Sequence, residues 1–310
     1  MNTKKKKKNK FFKRALHLIV FAAVYLFVIL TRLLNHKQTV RLGSFIGNFI
    51  YYTSKKRRTI TYDNLKLAFP EQSEDWIKSV RKKSFHNLGI TFAEMFKISS
   101  MSSDEIKSII TYRDLDDFYN IYNRNKGFIY VSGHFGNWEL MAYSFGIYTN
   151  IPVTIVVKKQ SNTLLNKYLN KMRVNSGNKI VDMHSAAIEL VKALRNKEGI
   201  ALLADQSATS DKDVYVNFFG QSTATYKAPA QIALKFRTPM IVGACIRNLD
   251  NTYYIEHFEI DYSDLENTPE GIKELTQRHA SALENLIRKY PEQWVWQHRR
   301  WKHKPKAEEN

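Results

Sequence analysis

From residue 127 onward, short apolar runs alternate with longer stretches of helical period. The runs are Phe128-Ile-Tyr-Val131, Ile151-Pro-Val-Thr-Ile-Val-Val157, Gly199-Ile-Ala-Leu-Leu-Ala204 and Met240-Ile-Val-Gly-Ala-Cys-Ile246. Helical stretches lie between them, near 161–174, 184–197 and 226–237. Strands that are apolar at consecutive positions are buried on both faces. Alternated with helices, they predict an α/β fold with a mostly parallel central sheet flanked by helices. Residues 252–260 add a strand and 268–289 a last helix. Residues 36–125 read as a mostly helical region packed on this core. In it, Trp76, Val80, Phe85, Leu88, Phe92, Met95 and Phe96 recur at helical spacing. The core itself runs over 126–303.

The N-terminus reads differently. Ala15 to Leu34 is apolar apart from His17, Thr31 and Arg32. A helix of about 20 residues spans about 30 Å, the thickness of a bilayer core. A cleaved signal peptide is the rival, but the stretch is long for one and no small-x-small site follows. Residues 1–35 therefore read as a basic tail and a membrane-anchoring helix. Lys4 to Lys8, Lys10, Lys13 and Arg14 precede the helix; Arg32, Lys37, Arg41 and Lys55-Lys-Arg-Arg58 follow it. With both flanks basic, two arrangements stay open: a full crossing, or a tilted helix that keeps both ends on one anionic face.

Net charge is +19, and the lysine tail supplies under half of it. Such a surface suits a polyanionic partner, and beside an apolar helix an anionic membrane is a simpler partner than nucleic acid. No GxGxxG and no GxxxxGK[ST] occurs, which argues against a nucleotide loop as the organising feature. The lone Cys245 excludes an internal disulfide and a cysteine zinc site, and reads as inert core.

In open α/β sheets, reactive side chains gather at the carboxyl ends of strands. The first such end reads Tyr130-Val-Ser-Gly-His-Phe-Gly-Asn-Trp-Glu139. A histidine with a nearby carboxylate is a general-base pair. The spacing alone decides nothing, because His184, His279 and His303 also have glutamate five positions on. Two of those lie mid-helix, where a five-residue step separates the side chains, and the third lies in the polar tail. Only His134 combines a strand end with glycines at 133 and 136. Asp205 ends the run 199–204 and belongs on the same edge, with a helix cap or an ion pair as the alternative. The C-terminal run Trp294-Val-Trp-Gln-His-Arg-Arg-Trp-Lys302 interleaves tryptophan with basic residues, a pattern suited to a membrane interface or a headgroup.

Gly133-His-Phe-Gly-Asn-Trp-Glu139 resembles the signature block of the bacterial late lipid A acyltransferases, within the wider His-x4-Asp/Glu glycerolipid acyltransferases. Other blocks fit in order: Asn64-Leu-Lys-Leu-Ala-Phe-Pro-Glu71, Ser84-Phe-His-Asn-Leu-Gly89 with Glu94, Arg173 before Ser176-Gly177, Ala204-Asp-Gln206, Asn217-Phe-Phe-Gly220 and the tryptophan run. The resemblance implies acyl transfer from a thioester, on acyl-carrier protein or acyl-CoA, to a hydroxyl of a lipid acceptor. It implies no metal and no cofactor, and a place at the bacterial inner membrane with the site on the cytoplasmic face. His134 is expected as general base, oriented by Glu139. Arg173, Asp205 and Asn137 are expected to bind substrate, Arg173 through the planar fork that grips phosphate. Gln206 is expected no closer than the second layer, and neither Ser132 nor Cys245 is set up as a nucleophile. A lysophospholipid, glycolipid or aminolipid acceptor is the rival within the enzyme class. A membrane-tethered binder of anionic polymers is the rival outside it.

Overall fold

The computed structural model describes residues 2–183, 185–208 and 213–303, with side chains from Arg14 onward. The chain opens with α1 (Asn2–Leu33), α2 (His36–Thr53), α3 (Lys55–Ala68), α4 (Glu74–Ile98) and α5 (Ser103–Ile109). It continues with β1 (Ile110–Tyr112), α6 (Leu115–Tyr122), β2 (Phe128–Ser132), α7 (Trp138–Thr149), β3 (Val153–Val157), α8 (Thr163–Val174), β4 (Lys179–Asp182), α9 (Ala186–Arg195) and β5 (Gly199–Leu203). A hairpin of β6 (Val214–Phe218) and β7 (Gln221–Thr225) precedes α10 (Ala228–Phe236), β8 (Met240–Arg247), β9 (Tyr253–Glu259) and α11 (Pro269–Lys289).

Seven strands form one sheet in the order β1-β9-β8-β2-β5-β3-β4. β8, β2, β5, β3 and β4 run parallel, and β9 with β1 runs the other way. The fold is thus the mostly parallel α/β sheet expected. The region expected to be helical also contributes a strand, since β1 joins the sheet edge beside β9. Three residues are too few for a period to show in sequence.

β2 shows why its run is continuously apolar. Phe128 and Tyr130 point into a core shared with Leu140, Met141 and Phe145 of α7. Ile129 and Val131 point into the opposite core, with Leu190 and Leu194 of α9 and Ala230 and Leu234 of α10. The helix that follows β2 therefore covers one face, and the helix that follows β5 covers the other. β2 and β5 are neighbours, so their carboxyl ends form the kind of switch point at which α/β sheets bind ligands.

A third core joins Leu65 of α3 and Phe69 just after it, Ile77 and Val80 of α4, the hairpin's Phe218, and Trp294 and Trp296. The two central residues of the hairpin turn, Phe219 and Gly220, both have positive φ, 55° and 73°, as a two-residue turn between right-twisting strands requires. Phe219 tolerates this because its ring is buried among Phe69, Trp296 and Trp301. Val28 of α1 packs with Met95 and Phe96 of α4 and Leu169 and Met172 of α8.

Candidate active site

Ser132 at the end of β2 pairs in register with Leu203 at the end of β5. The residues two further on, His134 and Asp205, are brought side by side by that pairing. The Asp205 carboxylate accepts from the His134 backbone N–H at 2.7 Å and meets His134 Nδ1 at 2.8 Å. Trp294 Nε1 donates to the same carboxylate at 2.8 Å. Asp205 is only 4% exposed, whereas the His134 side chain is 23% exposed. Nδ1 is thus held by a carboxylate, whereas Nε2, on the other side of the ring, meets the Gln206 side-chain amide at 3.3 Å.

The loop carrying His134 is clamped on both sides. Its carbonyl accepts from Val295 N–H, and Gly136 N–H donates to Gln293. A Cβ on Gly133 would lie 3.1 Å from Asp205 Cβ and Cγ. One on Gly136, where φ is +53°, would lie 1.7 Å from the Cys245 carbonyl oxygen. Both close approaches need glycine.

Burial disfavours a charged imidazole, but the charge and hydrogen bond of Asp205, helped by Glu139, outweigh it and raise the pKa of His134. Burial likewise pushes Asp205 up, and the His134 contacts with the Trp294 N–H bring it below its ordinary value.

Glu139 takes a different place from the one expected. It is the second residue of α7, and its carboxylate is gripped by Arg173 of α8, with Nε donating at 3.1 Å and Nη2 at 2.5 Å. No hydrogen bond joins it to His134 among the described residues. The carboxylate that orients the histidine is Asp205, and Glu139 orients Arg173. Asp205 was expected to touch substrate, but both its oxygens are engaged within the protein. Arg173 is an ion-paired arm rather than a solvated helical charge. The pocket behind this pair, lined by Ile98, Ala142, Tyr143 and Met172 among others, holds about 10 Å³. That suffices for one water and not for an acyl chain.

Asn137 is fully buried and caps α7, accepting from Leu140 N–H while its amide donates to Glu94. It is not presented to a substrate. Glu94, unremarked by sequence reasoning beyond its place in a motif block, also meets Arg247, Tyr253 and His36. Thr91, one turn earlier, donates to the Gly136 carbonyl. The signature loop therefore rests on α4 from behind. A glutamate inside an apolar helical face was the only sequence signal for this.

The tryptophan run is not a membrane surface. Trp294, Trp296 and Arg300 are buried, and Arg300 donates to the carbonyls of Ala224 and Gln206. Gln206, expected no closer than the second layer, instead touches the His134 ring itself, its amide 3.3 Å from Nε2. Ser132 and Cys245 are buried, and burial pushes the Cys245 thiol well up. The competing pairs dissolve. Glu284 bonds Phe219 N–H and Arg288, away from His279, and His184 and Glu308 lie outside the described residues.

The family model describing bacterial lipid A biosynthesis acyltransferases matches residues 5–303. The chain belongs to that family. As a member, it is an acyltransferase of lipid A or related lipids. It is 22% identical over 268 residues to the lipid A biosynthesis palmitoleoyltransferase of Escherichia coli (strain K12), with 86% of each chain covered. To the lipid A biosynthesis lauroyltransferase of the same organism it is 24% identical over 277 residues, again with 86% of each covered. A phosphatidylinositol mannoside acyltransferase of Mycolicibacterium smegmatis is 22% identical over 218 residues, with 67% of each covered.

Proposed function

We propose that the protein moves a fatty acyl chain from a thioester, carried by acyl-carrier protein, to a hydroxyl of a lipid A precursor or a related lipid at the membrane. The observation that carries this reading is the His134–Asp205 pair at the carboxyl ends of β2 and β5. His134 Nε2 takes the proton of the acceptor hydroxyl as its oxygen bonds to the thioester carbonyl carbon. The tetrahedral intermediate collapses with loss of the C–S bond. The departing thiolate takes the proton back from the imidazolium, so that ester and thiol leave and the enzyme is unchanged. Asp205 fixes the ring tautomer and stabilises the imidazolium that forms. Arg173, held by Glu139, presents its remaining Nη1 to an anionic group of the acceptor. The basic surface suits an acidic carrier as donor.

Membrane attachment is supported by Arg14–Leu33, long and apolar enough to cross a bilayer and only 11% buried. The exposed Phe45, Phe49 and Tyr52 of α2 add an aromatic stripe next to the basic residues 55–57. What α1 touches supports a helix that lies in one face of the membrane rather than crossing it. Asn162 donates to the His17 carbonyl, and Val24, Phe27 and Val28 pack against α4 and α8. A full crossing would draw α8, with Lys167, Lys171 and Arg173, into hydrocarbon at high cost. A helix lying in one face of the membrane keeps both basic flanks on that face.

A non-lipid A acceptor has one observation in its favour. The mycobacterial relative is named for a phosphatidylinositol mannoside and has the same 22% identity as one of the E. coli enzymes, over 67% rather than 86% of the chain. Mass spectrometry of lipids from a deletion strain separates the readings. Loss of one acyl chain from a lipid A species supports the first, and an unchanged lipid A with an under-acylated glycolipid supports the second.

A further inference from the structure

A second site lies where α1 ends and α2 begins. An open cavity of about 410 Å³ is lined there by Arg32, Asn35, His36 and Lys97. Lys97, in the last turn of α4, is only 7% exposed and makes no ion pair among the described residues. Lysine is seldom buried without a partner, because an ammonium removed from water needs an opposing charge. The nearby carboxylates make their direct contacts elsewhere. Glu94, one turn back, is engaged by Arg247, His36, Asn137 and Tyr253. Glu105 lines the same cavity and closes a capping box on Ser102; it feels the Lys97 charge but forms no ion pair with it among the described residues.

The N-terminus of α2 adds to the positive side. Asn35 caps Gln38 N–H, and the first two N–H groups, of His36 and Lys37, find no acceptor among the described residues. The free amides and the helix dipole favour an anion there. The cavity is also amphipathic, with Leu34, Met101 and Ile109 completing its wall.

We propose that this cavity binds the phosphoryl headgroup of an anionic phospholipid. Lys97, Arg32 and the α2 N-terminus hold the phosphate, and the apolar wall takes the start of the chains. The site is separate from the acceptor that His134 deprotonates. A membrane lipid, rather than a soluble phosphate ester, is the occupant because of position. The cavity opens at the end of the apolar segment Arg14–Leu33, and a helix lying in one face of the membrane keeps that end at headgroup level. This proposal rests on the reading of α1 as membrane-inserted.

The test uses full-length protein in neutral detergent, with phosphatidylglycerol, phosphatidylcholine or inorganic phosphate added. Native mass spectrometry counts adducts and thermal melting follows occupancy. The expected result is saturable phosphatidylglycerol binding that raises the melting temperature. Lys97→Met should weaken it about tenfold or more, the loss of a charge-assisted contact. Lys97→Arg should keep it, and Lys289→Met, on a surface lysine paired with Glu256, should leave it unchanged. Arg32→Gln, at an exposed position, should also weaken it and serves if Lys97→Met does not fold. Unchanged phosphatidylglycerol affinity in Lys97→Met, or in Arg32→Gln where that variant stands in, overturns the proposal. So does inorganic phosphate or phosphatidylcholine binding as tightly as phosphatidylglycerol. Because these measurements are made in detergent, they fail separately from the membrane reading, which a salt wash of native membranes tests.

Discussion

At His134, one carboxylate meets both the backbone N–H and the ring Nδ1. This double hold has a consequence for pH dependence. The base must be neutral to act, so activity rises with pH through the His134 pKa, which Asp205 raises. Asp205→Asn removes the raising charge and leaves burial, so the acid limb of kcat/KM should move to lower pH. Its plateau should fall about a hundredfold or more as the tautomer and imidazolium lose support; a limb that stays in place would mean that Asp205 does not tune the base. The Glu139–Arg173 pair behaves differently. Removing one partner leaves a mostly buried charge, so Glu139→Gln should cost stability of the order of 3 kcal/mol in denaturant titration. Arg173→Lys loses the bidentate fork and should weaken acceptor binding. His134 was legible in sequence because it ends an apolar run between two glycines. The choice between Glu139 and Asp205 was not, because strand register decides it, and register is a pairing across 71 residues.

Among the elements, the loop between β2 and α7 depends on Gly136. Gly136→Ala drives a methyl into the Cys245 carbonyl at a positive φ. It should destabilise the fold by several kcal/mol and abolish transfer, measured by melting and turnover together. Helix α11 carries its own pH sensitivity. Burial holds His279 neutral, with its pKa lowered from 6.5 to about 4. The unfolded chain therefore binds a proton between those values and the folded chain does not. Stability is complete above about 6.5 and falls by about 3 kcal/mol as pH drops to about 4. His279→Gln should flatten that decline while leaving catalysis intact; an equally steep decline would place the acid sensitivity elsewhere. The strands β2, β3, β5 and β8 were legible because consecutive apolar positions face two cores, and β9 was legible although its run, Tyr253-Tyr-Ile-Glu-His-Phe-Glu259, is mixed. The hairpin β6–β7 and the short β1 and β4 were not, since their residues are mixed and tertiary contacts select their conformation. The same holds for the tryptophans, whose pattern with arginine suits a membrane surface equally well in the absence of the core that buries them.

For the whole molecule, the apolar helix and the basic surface act together. Electrostatic attachment alone weakens as the Debye length shrinks to about 3 Å at 1 M salt. The full-length protein should therefore stay with membranes through a 1 M salt wash and need detergent for release. Release by salt alone would mean that Arg14–Leu33 is not embedded. Removing residues 1–35 should loosen attachment, and it should also uncover Met95, Phe96, Leu169 and Met172, which Val28 covers. The central claim concerns the reaction. Purified full-length enzyme, given a labelled acyl chain on acyl-carrier protein and a lipid acceptor with a free hydroxyl, should form labelled ester lipid and free carrier thiol in equal amounts. His134→Ala should melt like the wild type and transfer about 10² to 10⁴ times more slowly. A folded His134→Ala enzyme that kept more than about a tenth of wild-type turnover would contradict the account.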